Sequence, residues 1–139
     1  AASPKGLKAM GKSNVIATLL PGTTFFLKQK NYVDAKKFKK YGCELALATD
    51  FNPGSCTIQS MSLIITLAVL YCNMTVEEAL TAATYTGAKS LNLHKKVGQI
   101  KAGYQADLLF WEMDSIAELP YWIGSDRLLT VMKKGKLLD

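Results

Sequence analysis

ELALATDFNPGS, residues 44–55, carries the clearest structural signal in this sequence. An apolar run at 44–49 ends at Asp50, and a short polar turn with a proline and a glycine follows. Short apolar runs bounded by turn residues are typical of buried strands. A second run, NVIATLL at 14–20, closes at a Pro-Gly pair. The sequence therefore predicts two buried strands, the second of which ends on a carboxylate.

A helix is predicted between the two strands, at residues 31–41. Its apolar residues, among them Ala35 and Phe38, recur at helical spacing between lysines, with Asn31 as the N-cap and Gly42 as the C-terminal stop. Two continuously apolar strands joined by a helix indicate a parallel strand, helix, strand unit covered on both faces. The predicted fold class is therefore α/β.

Two further helices are predicted after the turn, at 60–73 and 76–92. The second begins with the capping box of Thr75 and Glu78, in which each side chain satisfies a backbone donor at the helix start. The packing face of this helix consists mostly of small side chains, among them Ala79 and Ala82, so we expect it to approach a neighbouring element closely.

The pattern changes in the last third of the chain, where short strands replace helices. A strand is predicted at 106–111, and the chain ends in a hairpin that turns at Lys134 and Gly135. We therefore expect two domains, at 1–92 and 93–139.

Neither predicted domain is large enough to fold by itself. A closed (β/α)8 barrel takes about 250 residues, whereas this chain has 139. A region of roughly 50 residues with about four strands does not form a secure core by itself. We therefore expect the chain to be the C-terminal part of something larger, with the missing N-terminal part as its partner.

The basic composition does not by itself predict a nucleic acid partner. The formal net charge is +6, but six lysines between residues 28 and 40 surround one predicted helix, and Arg127 is the sole arginine. A solvated helix face accounts for them better. The longest apolar run, at 61–72, is shorter than the roughly 18 residues that a membrane span needs and is predicted to be a buried helix. We expect neither a nucleic acid nor a membrane partner.

The cysteines predict a reducing compartment. Cys43, Cys56 and Cys72 are odd in number and lack metal-ligand spacing, which indicates reduced structural thiols in a cytoplasmic protein. Catalysis by Cys56 would require a histidine base, and His94 is the single histidine. His94 lies in a basic turn, where we expect a solvated surface side chain.

Several motifs together resemble one enzyme family. LPGTTFFL at 20–27, LATDFNPGS at 47–55, MTVEEALTAAT at 74–84 and VGQIKAGYQADLLFW at 97–111 resemble, in order and spacing, the C-terminal third of the imidazolonepropionases. These enzymes belong to the metal-dependent amidohydrolase superfamily. The LPG run together with TDFNPGS is specific to the family, whereas the G-x-I-x-x-G-x-x-A-D-L pattern identifies the superfamily alone.

The resemblance implies a fold and a reaction. The fold would be a (β/α)8 barrel with one divalent metal ion, zinc or iron, and a small β-sandwich built from both ends of the complete chain. The runs at 14–20 and 44–49 would be the seventh and eighth barrel strands. The reaction would be hydrolysis of the cyclic amide 4-imidazolone-5-propanoate to N-formimidoyl-L-glutamate, a step of histidine degradation.

The resemblance also assigns roles to the turn after the second strand. Asp50 would be a metal ligand and the catalytic proton shuttle, at the rim where barrel enzymes place their chemistry. Asn52 and Gly54 would contact the product, and Ser55 the substrate. The residues alone leave an alternative, in which Asp50 caps an ordinary tight turn, because Asp before Asn-Pro-Gly is favourable turn chemistry.

Other readings remain open at this point. Thr23 and Thr24 follow the first strand and are candidates for lining the pocket. The histidine ligands of the superfamily are absent, because His94 is the single histidine. We therefore expect the isolated chain to be inactive and to hold no metal. Alternative functions are another cyclic-amide hydrolase or deaminase of the superfamily, or a noncatalytic relic of the fold. The sequence leaves the metal and the question of a homodimer undecided.

Overall fold

The computed structural model of the protein describes residues 2–138. The helices of this region are α1 (Pro4–Gly11), α2 (Pro21–Phe26), α3 (Ala35–Lys40), α4 (Met61–Tyr71), α5 (Val76–Ala83), α6 (Tyr85–Ser90) and α7 (Glu118–Tyr121). The strands are β1 (Ile16–Leu19), β2 (Glu44–Leu47), β3 (Leu108–Trp111), β4 (Leu128–Lys133) and β5 (Lys136–Leu138). The chain has a mixed α/β fold.

The two predicted strands pair in parallel, as expected, but β1 is buried on one face alone, because Thr18 on its other face is exposed. β1 and β2 lie in register, with Ala17 opposite Leu45 and Leu19 opposite Leu47. These four side chains face one side of the sheet and pack on the helical layer, where Ile64 is fully buried. Residues 2–138 contribute two strands to this sheet, so both of its edges are open and no closed barrel forms within them.

The helix between the strands is shorter than predicted. α3 begins at Ala35, and its N-cap is Asp34 rather than Asn31, because the Asp34 carboxylate accepts from the backbone N–H of Lys36 at 3.1 Å. The predicted stop is confirmed, because Gly42 has φ +76°, a left-handed conformation that glycine adopts without a side-chain clash.

The helices after the turn lie where they were predicted, but the second of them is divided into two, α5 and α6. α4 occupies most of the predicted range 60–73. The capping box is confirmed, since Thr75 and Glu78 each accept from the other's backbone N–H. The predicted helix at 76–92 breaks at Thr84, whose φ of −116° and ψ of −86° are not helical. α6 then contacts β1 and β2, and Lys89 pairs with Glu44 at the start of β2.

Three short helices were not predicted. α1 begins at a Ser3 cap, whose hydroxyl accepts from the N–H of Gly6 at 3.1 Å. The Pro21-Gly22 pair, expected to close a strand, instead begins α2, since proline is favoured in the first turn of a helix. Four-residue α7 packs on α4, where the Thr66 hydroxyl reaches the Pro120 carbonyl.

The last strands form a separate antiparallel sheet in the order β3, β4, β5. The predicted strand at 106–111 is confirmed as β3, and the predicted hairpin turns at Lys134 and Gly135, which both have positive φ. Leu109 and Leu129 are more than half exposed on this sheet. Within residues 2–138, no helix is long and apolar enough to cross a membrane.

Candidate active site

Asp50 lies beyond the C-terminal end of β2, as the sequence predicts. Its φ is +53°, a left-handed conformation that is uncommon for a residue with a side chain, although Asp tolerates it better than most. The side chain is half-buried. Backbone strain of this kind persists where the surrounding structure holds it, and it is often found at functional sites.

Thr23 holds one oxygen of the Asp50 carboxylate. Its hydroxyl donates to Asp50 Oδ2 at 2.7 Å. Thr23 belongs to α2, which directly follows β1, so this hydrogen bond joins the C-terminal ends of two adjacent parallel strands. The sequence marked Thr23 as a candidate for lining the pocket, but it carried no signal for this pairing, because the two residues are 27 positions apart.

Asn52 uses its whole side-chain amide inside the turn. Oδ1 accepts from the backbone N–H groups of Gly54 at 3.0 Å and Ser55 at 2.8 Å. Nδ2 donates to the backbone carbonyl of Asp50 at 2.6 Å and to the hydroxyl of Ser55 at 3.0 Å. The structure therefore brings the four predicted site residues together, and Asn52 is the residue that connects them.

The base of the turn is closed by backbone and thiol contacts. Asn52 N–H donates to the carbonyl of Cys56 at 2.8 Å. Cys56 is fully buried, and its thiol donates to the carbonyl of Thr49 at 3.2 Å. Cys56 thus serves the packing of the turn, in agreement with the prediction of a structural thiol. Gly54 is exposed, so its backbone is open to a ligand.

Asp50 fits a metal as one ligand. No hydrogen bond to its Oδ1 is formed by residues 2–138, and carboxylate oxygens bind zinc and iron. Within that same region no group of three or more His, Cys, Asp or Glu side chains is arranged to hold a metal ion. The other ligands of a metal at Asp50 would have to come from outside these residues.

The remaining candidates lie away from the turn. Thr24 lines an apolar cavity of about 460 Å³ beside β1, together with Leu19 and Phe38. The expectation of a solvated His94 is wrong, because its ring is half-buried and faces the Tyr85 ring edge-on, with centroids 6.1 Å apart. His94 Nδ1 is buried and forms no hydrogen bond with any residue in 2–138.

Cys72 has a thiol with a raised pKa. It is fully buried, and burial, with a further contribution from Asp34, raises the pKa of its thiol to about 11. Cys43 is also buried and donates to the carbonyl of Leu7 at 3.4 Å. All three cysteines are free, so each behaves as a small apolar side chain.

The comparisons with known proteins match the resemblance seen in the sequence. The model of the amidohydrolase family matches residues 7–138. The imidazolonepropionase of Alkaliphilus oremlandii is 41% identical over 138 residues, which are 99% of this chain and 33% of that protein. That of Bacillus cytotoxicus is 41% identical over 136 residues, 98% of this chain and 32% of that protein. The chain therefore spans about a third of the length of these relatives.

Solved structures show the same fold. A mutant of the atrazine chlorohydrolase of Arthrobacter aurescens, complexed with zinc and atraton, gives a TM-score of 0.86 at 17% identity and covers 99% of this chain and 34% of that one. An adenosine deaminase from Xanthomonas campestris with bound zinc gives 0.83 at 20% identity and covers 97% of this chain and 34% of that one. At these identities the likeness concerns the fold alone.

Proposed function

The chain belongs to the amidohydrolase family, and from that premise we propose that it is the C-terminal third of an imidazolonepropionase. The complete enzyme would hydrolyse 4-imidazolone-5-propanoate to N-formimidoyl-L-glutamate. The observation that carries the proposal is the 41% identity to imidazolonepropionases over 99% of this chain. The clustering of Asp50, Asn52, Gly54 and Ser55 in one turn supports it.

Asp50 is the proposed catalytic residue and metal ligand. A divalent metal ion, zinc or iron, would polarise the amide carbonyl and make hydroxide available near neutral pH. Asp50 would accept the proton of the attacking water and return it to the ring nitrogen as the carbon–nitrogen bond breaks. Its position at the end of a parallel strand, with Oδ2 already held by Thr23, supports this role.

The proposed recognition of substrate and product is divided among three residues. The Ser55 hydroxyl accepts from Asn52 Nδ2 and donates to Asn52 Oδ1 at 3.1 Å, so a hydrogen bond from Ser55 to the imidazolone would replace the bond to Oδ1. Gly54 would let the product approach the backbone closely. Because all four hydrogen-bonding positions of the Asn52 amide are used within the turn, its contact with the product would be apolar.

The proposed architecture is the last quarter of a (β/α)8 barrel, with strands of a small composite sandwich formed by 93–139. The open edges of β1 and β2 are suited to pairing with further strands. The exposed apolar residues of the second sheet, Leu109 and Leu129 among them, are suited to packing on another sheet. The partner of this chain would be the N-terminal part of the same enzyme, in the cytoplasm, where free thiols such as these persist.

An activity assay on the complete protein tests the proposal. Loss of 4-imidazolone-5-propanoate and formation of N-formimidoyl-L-glutamate should both be observed. Asp50→Asn should lower kcat by about 10²- to 10⁴-fold, because the amide cannot shuttle the proton. Asp114→Asn, at an exposed position, is the matched control and should keep full activity. Ammonia release from a purine with no turnover of the imidazolone would instead identify a deaminase.

A further inference from the structure

We propose that Thr23 is a positioning residue for Asp50, so that Oδ1 is the carboxylate oxygen that binds a divalent metal ion. The inference rests on the function proposed above, because it concerns the same carboxylate. Thr23 itself touches neither metal nor substrate in this proposal. Its role is to fix which carboxylate oxygen of Asp50 is directed at the metal ion.

The first support is the geometry of the hydrogen bond. Thr23 Oγ1 and Asp50 Oδ2 are 2.7 Å apart, within the 2.5–2.7 Å range typical of a hydroxyl bound to a carboxylate. A carboxylate held at one oxygen loses rotation about its terminal bond. Oδ1 is therefore directed by the same bond, and no residue in 2–138 competes for it by hydrogen bonding.

The second support is that both partners are held in place. On one side, Gly22 is buried and contacts Ile64 so closely that a Cβ there would come within 2.7 Å of Ile64 Cδ1, which fixes the start of α2. On the other side, the left-handed backbone of Asp50 is held by the 2.6 Å hydrogen bond from Asn52 Nδ2 to its carbonyl. The hydrogen bond between Thr23 and Asp50 is therefore held in place from both sides, by the packing of Gly22 and by the hydrogen bond from Asn52.

The third support is the chemistry of the donor. The Thr23 hydroxyl is neutral, so it orients the carboxylate without neutralising its charge. A lysine or arginine in this place would compete with a metal cation for the same carboxylate, and none in residues 2–138 pairs with Asp50. Hydrogen bonds to the groups that ligate a metal typically change metal affinity by about 10- to 100-fold.

Titration of Co²⁺ into the metal-free complete protein tests the inference. Thr23→Val keeps the shape and removes the hydroxyl, and Thr23→Ser keeps the hydroxyl. Thr81→Val, at an exposed position of α5, is the matched control. We expect Thr23→Val to raise the Kd for Co²⁺ by about 10- to 100-fold and to change the visible absorption spectrum of bound Co²⁺. Thr23→Ser and Thr81→Val should match the wild type in both.

The outcomes separate this inference from the proposed function. An unchanged Kd and spectrum in Thr23→Val would overturn the inference, whether or not the enzyme hydrolyses the imidazolone. A weakened Kd that Thr23→Ser restores would support it, even if the wild type proves inactive on that substrate and the proposed function fails. Equal losses in Thr23→Val and Thr81→Val would also overturn it, because the effect would then be a general loss of stability.

Discussion

The structure around Gly54 indicates whether a glycine is needed there for folding or for ligand binding. A Cβ added there would lie 3.4 Å from Asn52 Oδ1, an ordinary contact, and the glycine does not require a positive φ. The turn itself therefore does not demand glycine at this position. If glycine is needed, the reason is a ligand that comes close to the backbone.

Replacement of Gly54 by alanine should therefore affect binding and spare stability. We expect Gly54→Ala to change the free energy of unfolding by less than about 0.5 kcal/mol. KM for the imidazolone and the inhibition constant of N-formimidoyl-L-glutamate should rise by about tenfold. Steady-state kinetics and thermal denaturation of the complete protein measure the two effects. A stable variant with unchanged kinetics would remove Gly54 from the binding site.

The same residues show what can be read from the sequence of a site. Asp50 could be placed at a strand end because an apolar run stops directly before it. Its partner Thr23 could not be found, because their contact depends on the pairing of β1 with β2. The sequence also did not predict that the Asn52 amide forms its hydrogen bonds within its own turn. An Asn side chain can use the same atoms to bond its own turn or a ligand, and the sequence does not distinguish the two cases.

Among the elements, helix α2 owes its position to the close packing of one glycine, Gly22. A Cβ on Gly22 would lie 2.7 Å from Ile64 Cδ1 and 3.2 Å from Cys56 Sγ, and both of these side chains are fully buried. The small residue lets α2 start directly above α4, and this brings Thr23 within reach of Asp50.

Overpacking at this point should be costly. We expect Gly22→Ala to lower the free energy of unfolding by about 1–3 kcal/mol, because Ile64 Cδ1 and Cys56 Sγ, both on fully buried side chains, must shift to admit the Cβ. Gly6→Ala is the control, since its nearest atom is 3.4 Å away in the open helix α1, and it should stabilise by about 0.5–1 kcal/mol. Chemical denaturation of both variants measures the difference, and equal effects would contradict the packing argument.

Asp107 fixes the turn between β4 and β5. Its carboxylate accepts from Lys133 Nζ at 2.6 Å and from the backbone N–H of Lys134 at 2.9 Å. The bond from Lys133 and that from the Lys134 backbone lower the pKa of Asp107 to about 2. This gives a structural reason for an aspartate in the A-D-L pattern that the sequence shares with the wider superfamily.

The hairpin should therefore loosen in acid. Because the pKa of Asp107 is 3.8 when unperturbed and about 2 in the fold, ionised Asp107 stabilises the hairpin above pH 3.8. This contribution is lost as the pH falls through about 2. Hydrogen exchange of the Lys134 amide, corrected for its intrinsic pH dependence, should show decreasing protection over this range. In Asp107→Asn the protection should be low throughout, and a wild-type pH profile in that variant would contradict the assignment.

The elements also show where patterns in sequence were informative. β1, β2 and α4 carry apolar runs, the hairpin carries specific turn residues, and each was predicted near its observed place. α1, α2 and α7 have eight residues or fewer, and such helices depend on caps and neighbours more than on periodicity. The break at Thr84 was missed because the helical pattern continues across it.

At the scale of the whole molecule, many large apolar side chains within residues 2–138 are exposed. Ile100 is 90% exposed and Tyr121 72%, and both edges of the β1 and β2 sheet are open within residues 2–138. Where exposed apolar side chains form a contiguous patch, they usually mark an interface. The proposed interface is with the rest of the enzyme.

The isolated residues 1–139 should therefore differ from the complete protein. We expect them to retain no zinc after dialysis, because residues 2–138 hold no cluster of three ligands, and to associate in solution through their open edges. Elemental analysis and light scattering measure the two properties. A monomeric chain with one equivalent of zinc would contradict the proposal that the metal site is shared with another segment.

The two open edges also bear on the order of events during synthesis. In the proposed enzyme, β1 and β2 are the last barrel strands to leave the ribosome, so earlier strands must wait for them before the ring can close. β2 ends at Leu47, so at roughly 5–20 residues per second the segment that carries both strands takes about 2 to 9 s to make. In the proposed enzyme the upstream strands would stay unpaired until β2 has left the ribosome, and chaperones that shield nascent chains would have to cover them during that interval.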